Sequence, residues 1–414
     1  MIRHFFRLVW NRRRTNGWIM VELLFSFLVL CGVLAVVVYN LDQWRRPMGF
    51  SHDDVWSLGI NPGPYSSLSD ADKRAVHERV AKLKLELSQL SEIELFSSFG
   101  YNVPFGRSRS AYVNYAHGMR EVIESNEVDP EARNVLRLEL LAGRWLEQGD
   151  GELNWTPVVI SQNYAELLFG REDPIGKPLT VYKRDGSIDA SSGEPGEEKR
   201  IVGVIRSLRR RGECRPAVLS EFRAVPSTIE DLDGSYPTVA FLFRVRPGTT
   251  AALEERLLRL GHGVAPEWSF TVTVLEDARR AMLRDIWLPL LIGGVVAGFL
   301  IVMVGLGLVG VLWQTIARRR RELGLRRALG ATAAQVRGQV LGELLALTTL
   351  AVFTGTLIFL QAPLLGVFGQ VGLHIYLIAL ALGWLVIYPF VILCGLYPSW
   401  LATRVRPVEA LQYE

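Results

Sequence analysis

The sequence predicts an integral membrane protein with four transmembrane α-helices in a one-plus-three arrangement and a large α/β extracytoplasmic domain between the first and the second. Three observations predict this fold class. The chain has 414 residues and is 49% hydrophobic, but its apolar residues are gathered into long uncharged runs. Arginines cluster beside some of these runs and not beside others. The segment between the first two runs is about 240 residues long, enough for one large or two small domains with their own cores.

Four apolar runs are long enough to cross a bilayer, which takes roughly 20 consecutive apolar residues. In the first run Glu22 is the only side chain that is charged at neutral pH, and the second has no charge at all. The polar stretch 364–373 separates the third from the fourth. A cleavable signal peptide is the alternative for the first run, but its apolar core exceeds about 7–15 residues and no small-x-small site follows it. The predicted spans are 18–39, 286–312, 342–363 and 374–396.

The orientation follows from the arginines, because positively charged loops resist translocation. The tail 1–17 and the loop 313–341 both carry arginine clusters, so both are predicted to be cytoplasmic. Four spans then place residues 40–285 outside, leave 364–373 as an outer hairpin, and return the tail 397–414 to the cytoplasm.

Helical and strand patterns alternate in the outer segment. Ser69 and Asp72 have capping-box spacing at the start of a helix whose apolar residues recur at helical intervals. Two more helices are predicted to end at Gly170 and Gly261. Short β-branched or aromatic runs bounded by Pro, Gly or polar residues predict strands. The buried helix positions are Val76, Val80, Leu83 and Leu87, and the predicted strands are 156–161, 178–183, 199–205, 238–245 and 269–275.

No catalytic or metal site is predicted. The stretch "GREDPIGKP" resembles a phosphate loop, but five residues rather than four lie between Gly170 and Gly176, and Pro178 replaces the residue that would hold magnesium. It is interpreted as a turn. The six histidines show no paired ligand spacing, no nucleophile elbow is present, and Cys214 is the only cysteine outside the spans. The sequence therefore favours a non-catalytic protein that holds no cofactor of its own.

Two basic stretches have competing interpretations. Residues 207–215 either bind an acidic partner or lipid head groups, or form a solvated loop. Residues 318–327 adjoin a predicted span and lack interleaved aromatics, which favours contact with membrane lipids over nucleic acid. The second span contains Gly294 and Gly298 in small-xxx-small spacing, which predicts close helix packing, either within the chain or across a dimer.

The cytoplasmic stretch "ARRRRELGLRRALGAT" predicts a helix with a defined break. Its residues are good helix formers, Gly330 suits the position after a helix end, and Thr332 with Gln335 forms a second capping box. A helix–turn–helix results. Positive charge explains the arginines but not the apolar Leu323 and Leu325 among them, which indicates that a partner docks there.

The longer stretch "RRRELGLRRALGATAAQVRGQVLGE" resembles the signature between the second and third spans of MacB/FtsX-type ABC transporter permeases. In the outer segment, "LLAGRWLEQGD", "PVVISQNYAELLFGREDPIGKPLTV" and "KRIVGVI" are similar to the outer-domain motif of that family. The tail "YPSWLATRVRPVEALQYE" is similar to its C-terminus. Residues 42–130 and 185–198 match no motif, so substrate choice cannot be read from them.

The resemblance implies that the helix–turn–helix is a coupling element gripped by a separate ABC ATPase, which binds the ATP and magnesium. It also implies a dimer with a second copy or a paralogue, a bacterial inner-membrane location with both termini cytoplasmic, and a possible periplasmic adaptor and outer-membrane channel. ATP-driven movement of the outer domain would drive export or, as in FtsX itself, activate an outer enzyme. The chain has no Walker motif and is therefore expected to borrow its ATPase. The implied contact residues are Glu322, Leu323, Gly324, Arg326, Arg327, Ala328, Leu329, Gly330 and Ala331.

Overall fold

The computed structural model divides the chain into two compact units, one of Met1–Asp42 with Ile286–Glu414 and one of Gln43–Asp285. We call them the membrane unit and the outer domain, and each is described by itself. The structure describes residues 13–63, 69–106, 110–150, 153–183, 198–224, 240–249, 251–318, 325, 329–365 and 371–402.

The helices of the described residues follow in chain order. They are α1 (Arg13–Trp44), α2 (Asp70–Ser88), α3 (Ala132–Leu136), α4 (Gln162–Phe169), α5 (Ala251–Val264), α6 (Leu275–Arg318), α7 (Ala333–Phe359), α8 (Gln361–Leu364) and α9 (Leu373–Ala402).

Four of these helices, α1, α6, α7 and α9, are long and apolar enough to cross a membrane. Helices α1, α6 and α9 each contain one of the predicted spans and extend beyond it, because the flanking residues are themselves good helix formers. Helix α7 begins before the predicted span 342–363 but ends at Phe359, and the short helix α8 follows it. The positions of the bilayer surfaces along them stay predictions. The four-helix count and the large α/β domain between the first two confirm the predicted fold class.

The helices of the membrane unit approach closely where glycine meets an aromatic ring. Phe27 of α1 is fully buried. A Cβ at Gly355 would lie 2.6 Å from its ring, and one at Gly383 would lie 3.2 Å from it. On α6, a Cβ at Gly305 would lie 2.8 Å from Phe390 Cζ. Because glycine has no side chain, α1, α6, α7 and α9 come close enough at these positions to share one apolar core.

The glycine pair singled out in the sequence lies elsewhere on α6. A Cβ at Gly294 or Gly298 would meet no described atom within 4 Å. These two residues therefore make no close helix contact within the described chain, which leaves the contact across a dimer as the prediction.

The described strands of the outer domain form one mixed sheet in the order β10-β1-β9-β2-β4-β8-β6-β7-β5, with β3 beside β4. The pairs β4/β8 and β6/β7 are parallel and the others are antiparallel. The strands are β1 (Val55–Asn61), β2 (Ile93–Phe99), β3 (Ala111–Asn114), β4 (Glu121–Val128), β5 (Leu140–Gly143), β6 (Thr156–Ser161), β7 (Lys199–Ile205), β8 (Leu219–Ala224), β9 (Ala240–Val245) and β10 (Ser269–Val274).

Helices α2 and α5 share an apolar cluster with β1, β9 and β10. The four helix positions predicted from their spacing, from Val76 to Leu87, are all buried in it. Ser69 caps α2, with its hydroxyl oxygen accepting a hydrogen bond from the Asp72 backbone N–H at 3.2 Å. The predicted start and buried face of this helix are confirmed.

Two other predictions need correction. Residues 178–183 form no regular strand. Leu179 N–H donates to Lys199 O at 2.8 Å, but Pro178 has no N–H that could extend this pairing. Tyr182 N–H donates to the Asn114 side chain and not to a neighbouring strand. Helix α5 does not end at Gly261 but continues to Val264. Gly261 is needed for packing, since a Cβ there would lie 2.9 Å from the Phe270 ring.

The turn at 173–177 and the end of α4 are as predicted. Ile175 N–H donates to Asp173 Oδ1 at 3.0 Å, and Gly176 has a φ of +79°. Gly170 caps α4 at a φ of +62° and donates its N–H to Glu166 O. Both glycines therefore occupy conformations that side chains disfavour.

Candidate functional site

The segment predicted to bind an ATPase lies between α6 and α7, and only part of it is described. Glu322, Leu323, Gly324, Arg326, Arg327 and Ala328 lie outside the described residues. Leu329 N–H donates to Leu325 O at 3.0 Å, which is one helical turn. Gly330 then takes a φ of +96°. The predicted break at Gly330 is therefore confirmed.

The predicted restart is confirmed as well. Thr332 N–H donates to Gln335 Oε1 at 2.9 Å, and Gln335 N–H donates to Thr332 Oγ1 at 3.3 Å. This reciprocal pair is a capping box. One turn into α7, Val336 is buried against Ile316 of α6, which fixes the two helices beside each other at this end.

The described tip between the helices carries exposed leucines. Leu329 is 80% exposed and Leu325 is 51% exposed. Ala331 is half-buried. Exposed leucines held beside a defined helix break form a surface that a protein partner can grip.

The basic stretch 207–215 is not a solvated loop, and its first two arginines are not an open basic patch. Arg209 and Arg210 are 3% and 6% exposed. Arg209 Nη1 donates to Gln43 O at 2.6 Å and to Glu213 O at 2.8 Å, and Nη2 donates to the Gln43 side-chain oxygen. Both sequence interpretations were wrong for these residues, because Gln43 lies 166 residues away in the chain and the sequence gives no sign of its contact with Arg209.

Arg210 reaches into the sheet. Its Nε and Nη2 donate to the two carboxylate oxygens of Glu124 on β4, at 2.7 and 3.0 Å. Arg211, which is more exposed, adds a third hydrogen bond to Glu124 at 3.0 Å. Glu124 is 1% exposed, and burial alone would raise its pKa, but the two guanidinium groups hold the pKa of Glu124 below its usual value.

The stretch also contacts the start of α6. Arg279 Nε donates to the Glu213 carboxylate, and Arg279 Nη1 bonds Glu276 at 3.2 Å. The Arg279 guanidinium lies 5.9 Å from the ring centroid of Trp44, in the last turn of α1. Burial opposes the charge on Arg279, but the carboxylates of Glu213 and Glu276 raise its pKa.

These contacts form one connected cluster, which we call the arginine hub. It joins the last turn of α1, the first turns of α6 and strand β4 through the stretch 207–215. Its members are Gln43, Trp44, Glu124, Arg209, Arg210, Glu213 and Arg279.

A strained turn lies against the hub. Phe105 has a φ of +59°, which is unusual for a bulky residue. Its N–H donates to Arg210 O at 2.9 Å, and Arg210 Nη1 donates to Val103 O and Gly106 O at 3.2 and 3.1 Å. Arg210 thus holds both sides of the turn, and Phe105 packs on Phe50 with ring centroids 5.5 Å apart.

The described outer domain contains one cysteine. Cys214 is a free, buried thiol whose pKa is raised by burial and by the Glu213 charge. Such a thiol reacts poorly. Among the described residues, no group of three or more His, Cys, Asp or Glu side chains is arranged to hold a metal ion.

A groove of about 470 Å³ lies at the end of α4. Tyr115, Phe169 and Tyr182 contribute aromatic side chains to its walls. Tyr115 lies between β3 and β4, and Phe169 is the last residue of α4. The groove is therefore lined by residues that are far apart in the chain.

Four apolar helices, a capped break between the second and third, and a mixed α/β domain between the first two define a multi-span membrane protein of the permease type. Residues 29–260 match the MacB-like periplasmic core domain, and residues 294–407 match the FtsX-like permease C-terminal domain. Because the first match covers more than half of the chain, the protein belongs to the family of ABC transporter permeases that combine these two domains.

Relatives of known name are distant. The chain is 24% identical over 308 residues to the uncharacterised ABC transporter permease YknZ of Bacillus subtilis, which covers 70% of each protein. It is 24% identical over 402 residues to the macrolide export ATP-binding/permease protein MacB of Haemophilus ducreyi, covering 93% of this chain and 53% of that protein. The pyoverdine export ATP-binding/permease protein PvdT of Pseudomonas aeruginosa is 22% identical, with 99% of this chain and 58% of PvdT covered.

The chain thus spans little more than half the length of MacB and PvdT. Among solved structures, it is similar to the periplasmic region of MacB from Actinobacillus actinomycetemcomitans. That similarity has a TM-score of 0.39 and 13% identity, and it covers 58% of this chain and 97% of the other.

Proposed function

We propose that this permease converts ATP hydrolysis by a separate cytoplasmic ABC ATPase into movement of its outer domain, and that this movement drives export of a hydrophobic compound, peptide or lipoprotein. The observation that carries the proposal is the tip between α6 and α7. There, exposed Leu325 and Leu329 lie beside a helix break that Gly330 and the Thr332/Gln335 capping box define.

The tip is suited to bind an ATPase because it exposes apolar side chains next to a helix end of defined conformation. The contact residues in this proposal are Glu322 to Ala331, with Leu323, Leu325 and Leu329 supplying the apolar anchors. ATP and magnesium would be held by the partner. The chain itself would hold no cofactor and carry out no reaction.

Buried polar groups of the membrane unit support movement of the outer domain rather than a polar path through the spans. The Asn40 side chain bonds Val36 O at 2.8 Å, and Thr348 bonds Leu344 O at 3.0 Å. Ser399 bonds Leu396 O at 2.9 Å. Each of these three side chains bonds a carbonyl of its own helix, and none of these bonds links one span to another.

Export is favoured because the relatives MacB and PvdT are named as exporters of a macrolide and of pyoverdine. A periplasmic adaptor and an outer-membrane channel belong to this proposal. The alternative is a transmitter in the manner of FtsX, which activates an outer enzyme and transports nothing.

We further propose that the permease works as a dimer in the bacterial inner membrane, with a second copy or a paralogue facing α6. Gly294 and Gly298 are open on that helix, whereas Gly305 packs within the chain. Gly294→Leu is expected to weaken dimer cross-linking while the monomer stays folded, and Gly305→Leu to lower thermal stability first. Full cross-linking in Gly294→Leu would place the interface elsewhere.

The coupling claim is tested by purifying the full chain with its cognate ATPase. Leu323→Asp and Leu329→Asp are expected to reduce both co-purification and stimulated ATP turnover. The matched control is Ala71→Asp, which adds the same charge at an exposed position of α2. Undiminished binding in both tip variants would overturn the proposed ATPase contact.

The orientation is tested with a reporter fused after Gly186. Activity outside the cytoplasm is expected, because 40–285 is predicted to be extracytoplasmic. A reporter that is active in the cytoplasm would overturn the membrane orientation.

A further inference from the structure

We propose that Arg209 is a positioning residue within the outer domain that ties the last turn of α1 to the sheet and to the first turns of α6, so that movement of these helix ends reaches the sheet. This inference rests on the proposed function, whose transmission step it locates in named residues. The juxtaposition that carries it is the arginine hub, in which one buried stretch bonds the last turn of α1, the first turns of α6 and strand β4.

The polypeptide chain connects α6 and α1 to the sheet in different ways. Strand β10 ends at Val274 and α6 begins at Leu275, so α6 continues directly from the sheet. Helix α1 ends at Trp44 and β1 begins only at Val55. The residues between them form neither helix nor strand, and such a connection passes on displacement poorly.

Arg209 gives α1 a second, direct link. Its guanidinium bonds both the main-chain oxygen and the side-chain oxygen of Gln43, which is itself buried. A planar guanidinium that donates to several fixed acceptors sets distance and orientation together. An apolar contact at the same place would hold the helix end near the domain but would allow it to slide.

The same stretch holds the other two elements. The Glu213 carboxylate accepts from Arg279 of α6, and Glu213 O accepts from Arg209. Arg210 bonds Glu124 of β4. The stretch itself follows β7 and precedes β8 in the chain. A displacement of either helix end therefore reaches the middle of the sheet through charged hydrogen bonds.

The test uses the full chain in lipid nanodiscs with its cognate ATPase. The variant Arg209→Met keeps an unbranched side chain that can stay buried and removes all of its hydrogen-bond donors. The matched control is Arg206→Gln, three residues before Arg209 in the chain, because Arg206 makes an exposed ion pair with Glu139. Hydrogen exchange at the amides of β1 and β4 is compared with and without ATP, alongside ATP turnover and complex assembly.

Arg206→Gln is expected to behave as the unmodified protein. Arg209→Met is expected to assemble and to hydrolyse ATP, but to lose the ATP-linked change in exchange by at least about fivefold, the lower end of ordinary coupling between sites. Without ATP, the amides at residues 41–44 should exchange faster in this variant. A merely structural role would lower assembly and turnover together with the exchange change.

If Arg209→Met fails to fold, Gln43→Met replaces it, since this variant removes only the side-chain acceptor and is expected to lose part of the change. An ATP-linked change of full size in the folded variant would overturn the role of Arg209 and leave the proposed function standing. The absence of any ATP-linked change in the unmodified complex would overturn both.

Discussion

Arg210 and Glu124 form a two-point ion pair inside the outer domain, although they are 86 residues apart in the chain. Both nitrogen–oxygen distances are 3.0 Å or less. The pair fixes the stretch 207–215 to β4 and thereby sets the position of Arg209 for its own contacts.

Removing the buried carboxylate should destabilise the outer domain strongly. Glu124→Gln leaves Arg210 buried without a counter-charge, so we expect a loss of about 3–5 kcal/mol in the free energy of unfolding. The measurement is denaturant unfolding of the full chain in detergent, followed by tryptophan fluorescence. Glu139→Gln is the control, because it removes an exposed ion pair with Arg206 and should cost far less stability, since solvent screens such pairs. Equal losses in the two variants would contradict this account.

Acid should weaken the same ion pair. The guanidinium groups lower the pKa of Glu124 in the folded protein despite its burial, so the folded state binds fewer protons at this site than the unfolded state. The stability is fully present above the ordinary carboxyl pKa of about 4.3 and is lost as the pH falls through the lowered value. The unfolding temperature, measured at several pH values, should therefore fall less steeply with acid in Glu124→Gln. Parallel curves would show that other carboxyls dominate acid unfolding.

The two glycines near the end of α5 should respond in opposite ways to alanine. Gly261→Ala places a Cβ 2.9–3.0 Å from ring atoms of Phe270, and we expect a net loss of about 1–3 kcal/mol. Gly263→Ala meets no described atom within 4 Å and should gain up to about 1 kcal/mol from helix propensity. Thermal unfolding of both variants decides this, and a stabilising Gly261→Ala would show that the ring moves aside freely.

The capping box should control the start of α7. Thr332→Ala removes the acceptor for Gln335 N–H and should cost about 1 kcal/mol of local stability. Hydrogen exchange at the first amides of α7 should become several-fold faster, while Thr332→Ser, which keeps the acceptor, should leave it unchanged. Identical exchange in all three proteins would mean that packing of Val336 on Ile316, rather than the cap, holds this end.

Where local chemistry decides the structure, the sequence was sufficient. The four long apolar helices, the Ser69 and Thr332 caps and the break at Gly330 depend on residues within a few positions of each other. The apolar strands β6 and β7 were found because β-branched residues fill them. In each case the signal and the structure lie in the same short stretch.

Where contacts between residues far apart in the chain decide the structure, the predictions from the sequence were wrong or missing. The composition of 207–215 is typical of a solvent-exposed loop. No nearby residue in the sequence indicates that Gln43, Glu124 and Arg279 contact this stretch. Strand β4 was missed for the complementary reason, since Glu124 and Asn126 have an exposed character but are buried in polar contacts. A signal was present in principle, because buried carboxylates and consecutive arginines each require partners. The spacing of Gly294 and Gly298 likewise shows that another helix could approach them closely. It could not show that the close helix contact within the chain is made at Gly305.

Strands β1 and β10 are neighbours in the sheet, with Trp56 opposite Val274. The polypeptide therefore arrives along one strand and departs along the strand beside it, about 5 Å away. Loops between those two strands can lengthen or shorten without changing the distance between the two connections, as long as β1, β10 and the stretch 207–215 keep their contacts. Evolution can therefore vary the loops of the outer domain while its two connections stay side by side.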